Sequence, residues 1–220
     1  PMGSIANFVR PDTPTGCTVC GDTATSLLFR GDAKVFRCAR CTHVFSDVSS
    51  IAHPENYGPE YYERIHRNWF AHPNLDLFGW IVMHLPATTR SVLDVGCGKG
   101  AFLRFLRSER NQLDRLVGVD ISPNNPEPGI EYRQVDFSKM RDDECFDAVV
   151  SLAVIEHVDD PVAFVRSLSA HCNPGGVVVA MTLDNDSLLY AAARVLAKMG
   201  VRMPAVRVCS AHHLQHFTRE

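Results

Sequence analysis

A strand-like run passes directly into a glycine-rich turn and then into a helix-like run in SVLDVGCGKGAFLRFL, residues 91–106. Gly96, Gly98 and Gly100 permit a tight turn, and because they lack Cβ they let the main chain approach a ligand closely. Such a loop, between the carboxyl end of a strand and the start of a helix, is typical of nucleotide-binding sheets. The stretch therefore predicts an α/β fold with a cofactor cleft at this loop.

The sequence after this strand continues to alternate between strand-like and helix-like segments. The strand-like segments are SVLDV, RLVGVD, IEYRQV, FDAVVSL and GGVVVAMT, and helical segments follow Gly100, Pro161 and Ser187. Continuous Val, Ile and Leu strands that alternate with helices predict a Rossmann-like, doubly wound and mostly parallel sheet covered on both faces. We assign residues 87–220 to this domain, residues 51–86 to an aromatic helical linker or lid, and residues 1–50 to a separate small module.

The amino-acid composition indicates which kinds of partner and which cellular compartment to expect. The net charge is -3, the isoelectric point is about 6.4 and no long basic run occurs, which disfavours binding to a nucleic-acid backbone. No run approaches the ~20 apolar residues that span a bilayer, so we expect no membrane partner. Four of the eight cysteines stand in two C-x-x-C pairs, which fits a reducing compartment. These features predict a cytoplasmic protein, and they do not address its oligomeric state.

The two cysteine pairs predict a metal site. Cys17 and Cys20 form the first pair, Cys38 and Cys41 form the second, and 17 residues separate the pairs. Four thiolates from two such knuckles can surround one Zn²⁺ tetrahedrally, and the spacing is that of zinc ribbons. Four cysteines close the coordination sphere, so the zinc would be structural. The alternatives are two disulfides, which a reducing compartment disfavours, and four buried thiols without a metal.

Two carboxylates help to distinguish the possible nucleotide ligands. Gly96-x-Gly98-x-x-Ala101 also satisfies the fingerprint of nicotinamide and flavin dinucleotides. Asp120 ends the second strand and can bind both hydroxyls of a ribose in either kind of ligand. Asp94 precedes the first glycine by two residues, where a carboxylate suits a cationic ligand better than a pyrophosphate. The loop therefore favours S-adenosylmethionine, which carries an ammonium and a sulfonium group.

Five segments in order carry a resemblance to a known family. They are LDVGCGKG, GVDIS, VDF, FDAVVSLAVIEHVDDP and NPGGVVVAMT. From about residue 57 onward the chain resembles a class I S-adenosylmethionine-dependent methyltransferase. Together with the zinc ribbon, it is similar to a bacterial group associated with small-molecule or glycan biosynthesis, which includes sugar C-methyltransferases. Relatives usually add a sixth and an antiparallel seventh strand, and we expect these C-terminal strands to be missing from residues 87–220.

The resemblance also implies the residues that bind the cofactor. In the family, the glycine loop holds the methionine part, the acidic residue after the second strand binds the ribose, and the third and fourth strands supply residues around the adenine and the cleft. Carried over to this sequence, these residues are Asp94, Gly96, Cys97, Gly98 and Gly100; Asp120 and Ile121; Asp136 and Phe137; and Ser151, Leu152 and Ala153.

Two histidines are candidates for catalysis. Methyl transfer is an in-line displacement, and a base helps when the accepting atom is a hydroxyl oxygen or an acidic carbon. His157, in IEHV, follows the fourth strand, and it could equally secure the loop together with Glu156 through hydrogen bonds. By resemblance, His213 in HHLQHF lies at the acceptor side. Its alternatives are a plain loop role or metal binding, which is disfavoured because adjacent histidines diverge and no carboxylate motif accompanies them.

The sequence therefore predicts an S-adenosylmethionine-dependent methyltransferase that acts on oxygen or carbon of a small metabolite, such as a sugar or another biosynthetic intermediate. A ribosomal RNA base methyltransferase is one alternative, because a zinc ribbon also precedes this fold there, but a basic cluster is missing. A non-catalytic binding module that keeps the fold is the other alternative, and the intact cofactor motifs argue against it.

Overall fold

The computed structural model describes residues 16–30, 34–47, 72–141, 143–201 and 213–218. Of the predicted linker over residues 51–86, the part up to residue 71 lies outside these ranges. The described chain forms one small antiparallel sheet and one parallel sheet. None of its helices combines the length and the apolar character needed to cross a membrane.

The N-terminal module is a small antiparallel sheet beside the four paired cysteines. Its strands are β1 (Thr25–Arg30), β2 (Lys34–Cys38) and β3 (Val44–Ser46). Phe36 and Phe45 face each other across β2 and β3, and both are almost completely buried. Together with Cys17 and Cys38 they form a separate hydrophobic core. A core of this size is small, and a bound metal is the usual additional source of stability in such modules.

The second unit is the predicted doubly wound sheet. Its elements in chain order are α1 (Leu75–His84), β4 (Ser91–Val95), α2 (Ala101–Glu109), β5 (Arg115–Asp120), β6 (Glu131–Gln134), β7 (Phe146–Leu152), α3 (Pro161–Ala170), β8 (Cys172–Met181) and α4 (Leu188–Lys198). All five strands are parallel, in the order β6-β5-β4-β7-β8. The α/β fold predicted from the sequence is confirmed.

Side chains of β4 point alternately to the two faces of the sheet, and this explains why helices cover both faces. Val92 packs in a cluster with Phe102 and Leu106 of α2, whereas its neighbour Leu93 packs in a second cluster with Leu168 of α3. Successive residues of a strand point to opposite faces, so an apolar strand needs a helix on each side.

The strand order determines where a ligand can bind. After β4 the chain moves to one side through β5 and β6, and then returns to the other side of β4 through β7 and β8. Loops that leave β4 and β7 therefore separate at the carboxyl edge and open a crevice there. Residues 96–100 form the first of these loops and residues 153–158 form the second.

The last described strand, β9 (Gln215–His216), joins the two units. It pairs antiparallel with β3 and completes the order β1-β2-β3-β9. The backbone N–H of Leu214 donates to the carbonyl of Glu156, over 2.7 Å, in the loop that follows β7. Residues 213–218, which the sequence predicts as part of the α/β domain, therefore contact both units.

The Gln215 side chain forms hydrogen bonds with both units at this junction. It is buried, and its Oε1 accepts hydrogen bonds from Thr18 Oγ1 at 2.7 Å and from His43 Nε2 at 2.9 Å. Its Nε2 donates to the carbonyl of Val158 over 2.9 Å. Thr18 lies inside the first cysteine knuckle and His43 follows the second. One amide thus joins both knuckles to the loop after β7.

We expect Gln215→Ala to destabilise the protein, because Thr18 and His43 lose a buried acceptor. The free energy of unfolding, measured by urea denaturation, should fall by about 2 kcal/mol. Gln134→Ala is the matched control, since Gln134 is exposed at the end of β6, and it should change the free energy by less than about 0.5 kcal/mol. Equal effects of the two substitutions would contradict the role given to Gln215.

Candidate active site

The glycine turn after β4 adopts a conformation that requires glycine. Gly96, Gly98 and Gly100 have φ values of 72°, 53° and 72°, in the left-handed region that side chains disfavour. Space is also limited, because a Cβ at position 96 would collide with Val154 and a Cβ at position 100 would collide with Tyr132. Both the backbone angle and the packing therefore exclude a side chain at these two positions.

Asp120 connects this turn to the end of β5. Its Oδ2 accepts a hydrogen bond from the Gly98 N–H at 2.8 Å, and its Oδ1 accepts one from the Ser122 N–H at 2.8 Å. The side-chain amide of Asn124 donates to the Gly98 carbonyl over 2.7 Å. The backbone N–H and carbonyl of Gly98 are thus both fixed by side chains, one from the last residue of β5 and one from the loop that follows it. We did not identify Asn124 from the sequence, and no motif distinguishes it from an ordinary loop asparagine.

Asp94 is a buried carboxylate beside the same turn. Only 2% of its surface is exposed. Burial, and then the negative charge of Asp120, raise the pKa of Asp94 to about 8. Burial also raises the pKa of the Cys97 thiol, with a further contribution from Asp94. The site thus favours the neutral acid near neutral pH, and a ligand with positive charge would favour the carboxylate.

A cavity of about 970 Å³ opens at the carboxyl edge of the sheet. This volume is at the upper end of the range for small-molecule sites, roughly 300–1,000 Å³. The predicted site residues that line it are Asp94, Gly96, Cys97, Gly98, Asp120, Ile121, Asp136, Phe137, Leu152, Ala153, His157 and His213.

Gly100 and Ser151 lie outside the cavity lining. Gly100 is the N-cap of α2. Ser151 is 1% exposed, and its hydroxyl donates to the Val95 carbonyl at 3.1 Å between neighbouring strands. Gly100 therefore starts the helix and Ser151 holds β7 to β4, so both shape the crevice from behind its surface.

The segment that follows β7 forms one end of the cavity, and it consists of a strained turn and a short 3₁₀ helix. Ala153 has a φ of 57°, which is unusual for a residue with a side chain. The 3₁₀ turn Ile155–His157 follows directly. Glu156 in this turn is 1% exposed, and its Oε2 accepts a hydrogen bond from Thr182 Oγ1 at 2.9 Å. Burial raises the pKa of Glu156 above its usual range.

Two histidines meet next to this carboxylate. The ring centroids of His157 and His213 lie 5.0 Å apart with an interplanar angle of 61°. One side-chain N or O atom from each of Glu156, His157 and His213 lies within 4.8 Å of the others. A carboxylate therefore lies beside His213 in space, although no carboxylate motif accompanies the C-terminal histidines in the sequence. The sequence hides this proximity, because Glu156 reaches His213 only through the pairing of two distant loops.

The other histidines of the C-terminal motif have different positions. His216 is buried, and its Nε2 forms a hydrogen bond with Ser46 Oγ at 3.0 Å. Burial, and then the nearby His43, lower the pKa of His216 to about 4. It is therefore a neutral structural residue of the small sheet. His212 lies outside the described residues.

The four paired cysteines converge as the spacing predicts. The sulfur atoms of Cys17 and Cys41 are 3.6 Å apart, those of Cys20 and Cys38 are 3.5 Å apart, and no disulfide joins them. Sulfur atoms around a tetrahedral zinc, with bonds of ~2.3 Å, lie about 3.8 Å apart, so the set fits a structural zinc. Burial raises the pKa of the Cys38 thiol, but hydrogen bonds from the N–H groups of Cys41 and Arg40 outweigh it and bring the pKa down to about 7.

Comparison with known proteins identifies the family. A family model described as a methyltransferase domain matches residues 59–220. The chain belongs to this methyltransferase family. The match includes the whole parallel sheet, the glycine turn and the loop with Glu156 and His157.

Curated relatives include the mitochondrial ubiquinone biosynthesis O-methyltransferase of Dictyostelium discoideum. It is 32% identical over 158 residues, which cover 62% of this chain and 48% of that protein. The ubiquinone biosynthesis O-methyltransferase of Stutzerimonas stutzeri is 30% identical over 131 residues, which cover 54% of this chain and 55% of that protein. This methyltransferase chain thus spans about half the length of the curated relatives it matches.

Among solved structures, the chain is similar to an amino pentose methyltransferase from Micromonospora echinaspora, involved in calicheamicin biosynthesis, whose structure contains S-adenosylmethionine. The identity is 25%, the TM-score is 0.47, and the alignment covers 60% of this chain and 59% of that one.

We expect the buried Asp94 to make the ligand-free methyltransferase less stable as the pH rises. Its pKa is about 8 when folded and near the ordinary 3.8 when unfolded. Between these values only the folded chain holds the proton, so stability falls with increasing pH. Asp94→Asn removes this titration, and its stability relative to the parent should be about 1–3 kcal/mol higher at pH 8 than at about pH 5.

Urea unfolding of both proteins at the two pH values measures this difference. Asp114→Asn is the control, because Asp114 is exposed before β5. If Asp94→Asn changed stability equally at both pH values, the carboxyl would not be the buried acid described above.

Proposed function

We propose that this chain binds S-adenosylmethionine in the 970 Å³ cavity and transfers its methyl group to an oxygen of a small molecule. The pair of carboxylates at the glycine turn carries the proposal. Asp94 and Asp120 both line the cavity and are close enough for their charges to interact. The Asp120 carboxylate would repel a pyrophosphate, and a ligand with an ammonium or sulfonium group would favour the charged form of Asp94, so the pair supports a cationic nucleoside over a dinucleotide.

Each group around the turn then has a role that fits its position. We assign the two ribose hydroxyls to Asp120, which lines the cavity and whose two oxygens are oriented there by hydrogen bonds from the Gly98 and Ser122 N–H groups. The ammonium group is assigned to the vicinity of Asp94, and the adenine to Asp136 and Phe137. Phe137 is held by an edge-to-face contact with Phe164, with ring centroids 5.8 Å apart.

The accepting end of the cavity is assigned to His157 and His213. S-adenosylmethionine supplies a methyl group that is activated by the positive sulfur. An acceptor oxygen contributes the electron pair of the new O–C bond, the C–S pair stays with sulfur, and the hydroxyl proton must leave. We assign the handling of this proton to the two histidines, since imidazole exchanges protons near neutral pH. Transfer to oxygen is supported by the names of the curated relatives.

We also propose that Cys17, Cys20, Cys38 and Cys41 hold a structural zinc ion. The ion would fix both knuckles, and through Thr18, His43 and Gln215 it would stabilise the loop after β7. This places the zinc outside the chemistry, because four cysteines leave no open coordination position.

Asp120→Ala should weaken binding of S-adenosylmethionine by about a hundredfold, because two hydrogen bonds to a charged group are lost, each worth about 1.5 kcal/mol. Isothermal titration calorimetry measures the dissociation constant. Asp120→Asn should be intermediate, and Asp114→Ala, on the exposed surface, should be unchanged. Near-normal affinity in Asp120→Ala, or tighter binding of a nicotinamide dinucleotide to the parent, would contradict the ribose assignment.

His157→Ala should slow methyl transfer by about a hundredfold or more and leave the affinity for S-adenosylmethionine unchanged, because His157 serves the acceptor end. Mass spectrometry of a panel of small hydroxylated metabolites first identifies an acceptor by the gain of one methylene unit. The rate is then compared in the parent, His157→Ala and the control His84→Ala, whose histidine is exposed on α1. Unchanged turnover in His157→Ala would contradict the assignment of a role in methyl transfer to His157.

A further inference from the structure

Glu156, His157 and His213 form a cluster at the end of the cavity that we assign to the acceptor. We propose that Glu156, His157 and His213 bind a divalent transition-metal ion in the cavity, and that this ion binds acceptors with two neighbouring oxygen atoms, such as a vicinal diol. The geometry of the cluster supports the metal site. The class of acceptor rests on the function proposed above.

The donor set and its spacing support a metal site. One ligand atom from each residue lies within 4.8 Å of the other two. Ligands around a single ion, with bonds of about 2.0–2.2 Å, lie roughly 3–4 Å apart, so small side-chain rotations would bring the three atoms onto one ion. Two imidazoles and one carboxylate are a common protein ligand set for zinc, iron(II) and related ions.

The backbone holds the contributing segments in place. The Leu214 N–H donates to the Glu156 carbonyl over 2.7 Å, which fixes the two loops to each other right beside the ligands. Thr182 Oγ1 donates to Oε2 of the Glu156 carboxylate at 2.9 Å. Hydrogen bonds of this kind orient ligands around metal ions and are typical of the shell behind a metal site.

The charge of Glu156 also favours a cation. Glu156 is 1% exposed, and no lysine or arginine in the described part of the chain forms an ion pair with it. A buried carboxylate without a positive partner is costly. A divalent ion held by His157 and His213 would supply that positive charge at the cavity surface.

Three protein ligands leave coordination positions open for the acceptor. Two neighbouring oxygen atoms can occupy these positions together and form a chelate ring. A hydroxyl bound to the ion loses its proton to the solvent more easily, since the ion stabilises the resulting alkoxide. That oxygen then supplies the electron pair for the O–C bond. His157 and His213 thus handle the acceptor proton by holding the ion that lowers the pKa of the hydroxyl.

Cobalt(II) distinguishes this site from the cysteine site. The full chain is first given one equivalent of zinc, which we expect the four thiolates to bind, and elemental analysis establishes its zinc content. Co²⁺ is then added while visible absorption and calorimetry are recorded. We expect one further equivalent to bind, with weak d–d bands and without the intense absorption of thiolate bound to cobalt. The proposal is overturned if all bound Co²⁺ shows the intense absorption of a thiolate complex, or if no Co²⁺ binds beyond the cysteine site.

Substitutions then assign the ligands. His213→Ala and Glu156→Gln should each weaken the additional Co²⁺ binding at least tenfold, and His84→Ala, with its exposed histidine on α1, should leave it unchanged. His157→Ala is the second test if a change at the junction of the two units prevents folding, which circular dichroism detects. Unchanged Co²⁺ affinity in folded His157→Ala or His213→Ala contradicts the site.

Binding of S-adenosylmethionine to the same preparations separates this proposal from the proposed function. Cofactor binding without the additional cobalt leaves the function intact and removes the metal site. Binding of the additional cobalt without binding of S-adenosylmethionine supports the metal site and contradicts the proposed function. If the protein binds both S-adenosylmethionine and the additional cobalt, it should methylate vicinal diols faster than matched monoalcohols when the ion is present. Equal rates would contradict the proposal that the ion chelates the acceptor.

Discussion

The hydrogen bond from the Gly98 N–H to the Asp120 carboxylate is the interaction on which the cleft depends. It joins the turn after β4 to the end of β5 over 2.8 Å and holds a carboxylate beside the glycine turn, where the main chain lacks side chains at three positions. The glycines are needed because their φ values are positive and because Val154 and Tyr132 occupy the space of a side chain. The parallel sheet supplies the frame, since the strand order opens a crevice between the loops after β4 and β7.

A second constraint acts from the opposite side of the crevice. The short strand β9 extends the cysteine-containing sheet and, through Leu214 and Gln215, fixes the loop that carries Glu156 and His157. His213 reaches the cavity because it lies two residues before this strand. The small N-terminal module therefore contributes to the geometry of this side of the cavity, although its four paired cysteines do not line the cavity.

The sequence was sufficient for the parts of the molecule that depend on local patterns. The five strands and the glycine turn follow from apolar runs and glycine spacing, and the four cysteines converge as their spacing indicates. Ser151 shows the limit of such patterns, because alternation along a strand does not reveal that its hydroxyl faces Val95 and not the cavity. The pairing of β9 with β3 and the proximity of Glu156 to His213 are long-range contacts. They depend on how two units pack, which no local periodicity encodes.

A crystal structure with S-adenosylhomocysteine tests the central claim most directly. We expect the nucleoside to occupy the cavity at the glycine turn, with each ribose hydroxyl within hydrogen-bond distance, about 2.7 Å, of an Asp120 oxygen. The methionine part should extend past Asp94 toward His157. A nucleoside bound elsewhere, or a ribose turned away from Asp120, would contradict the account.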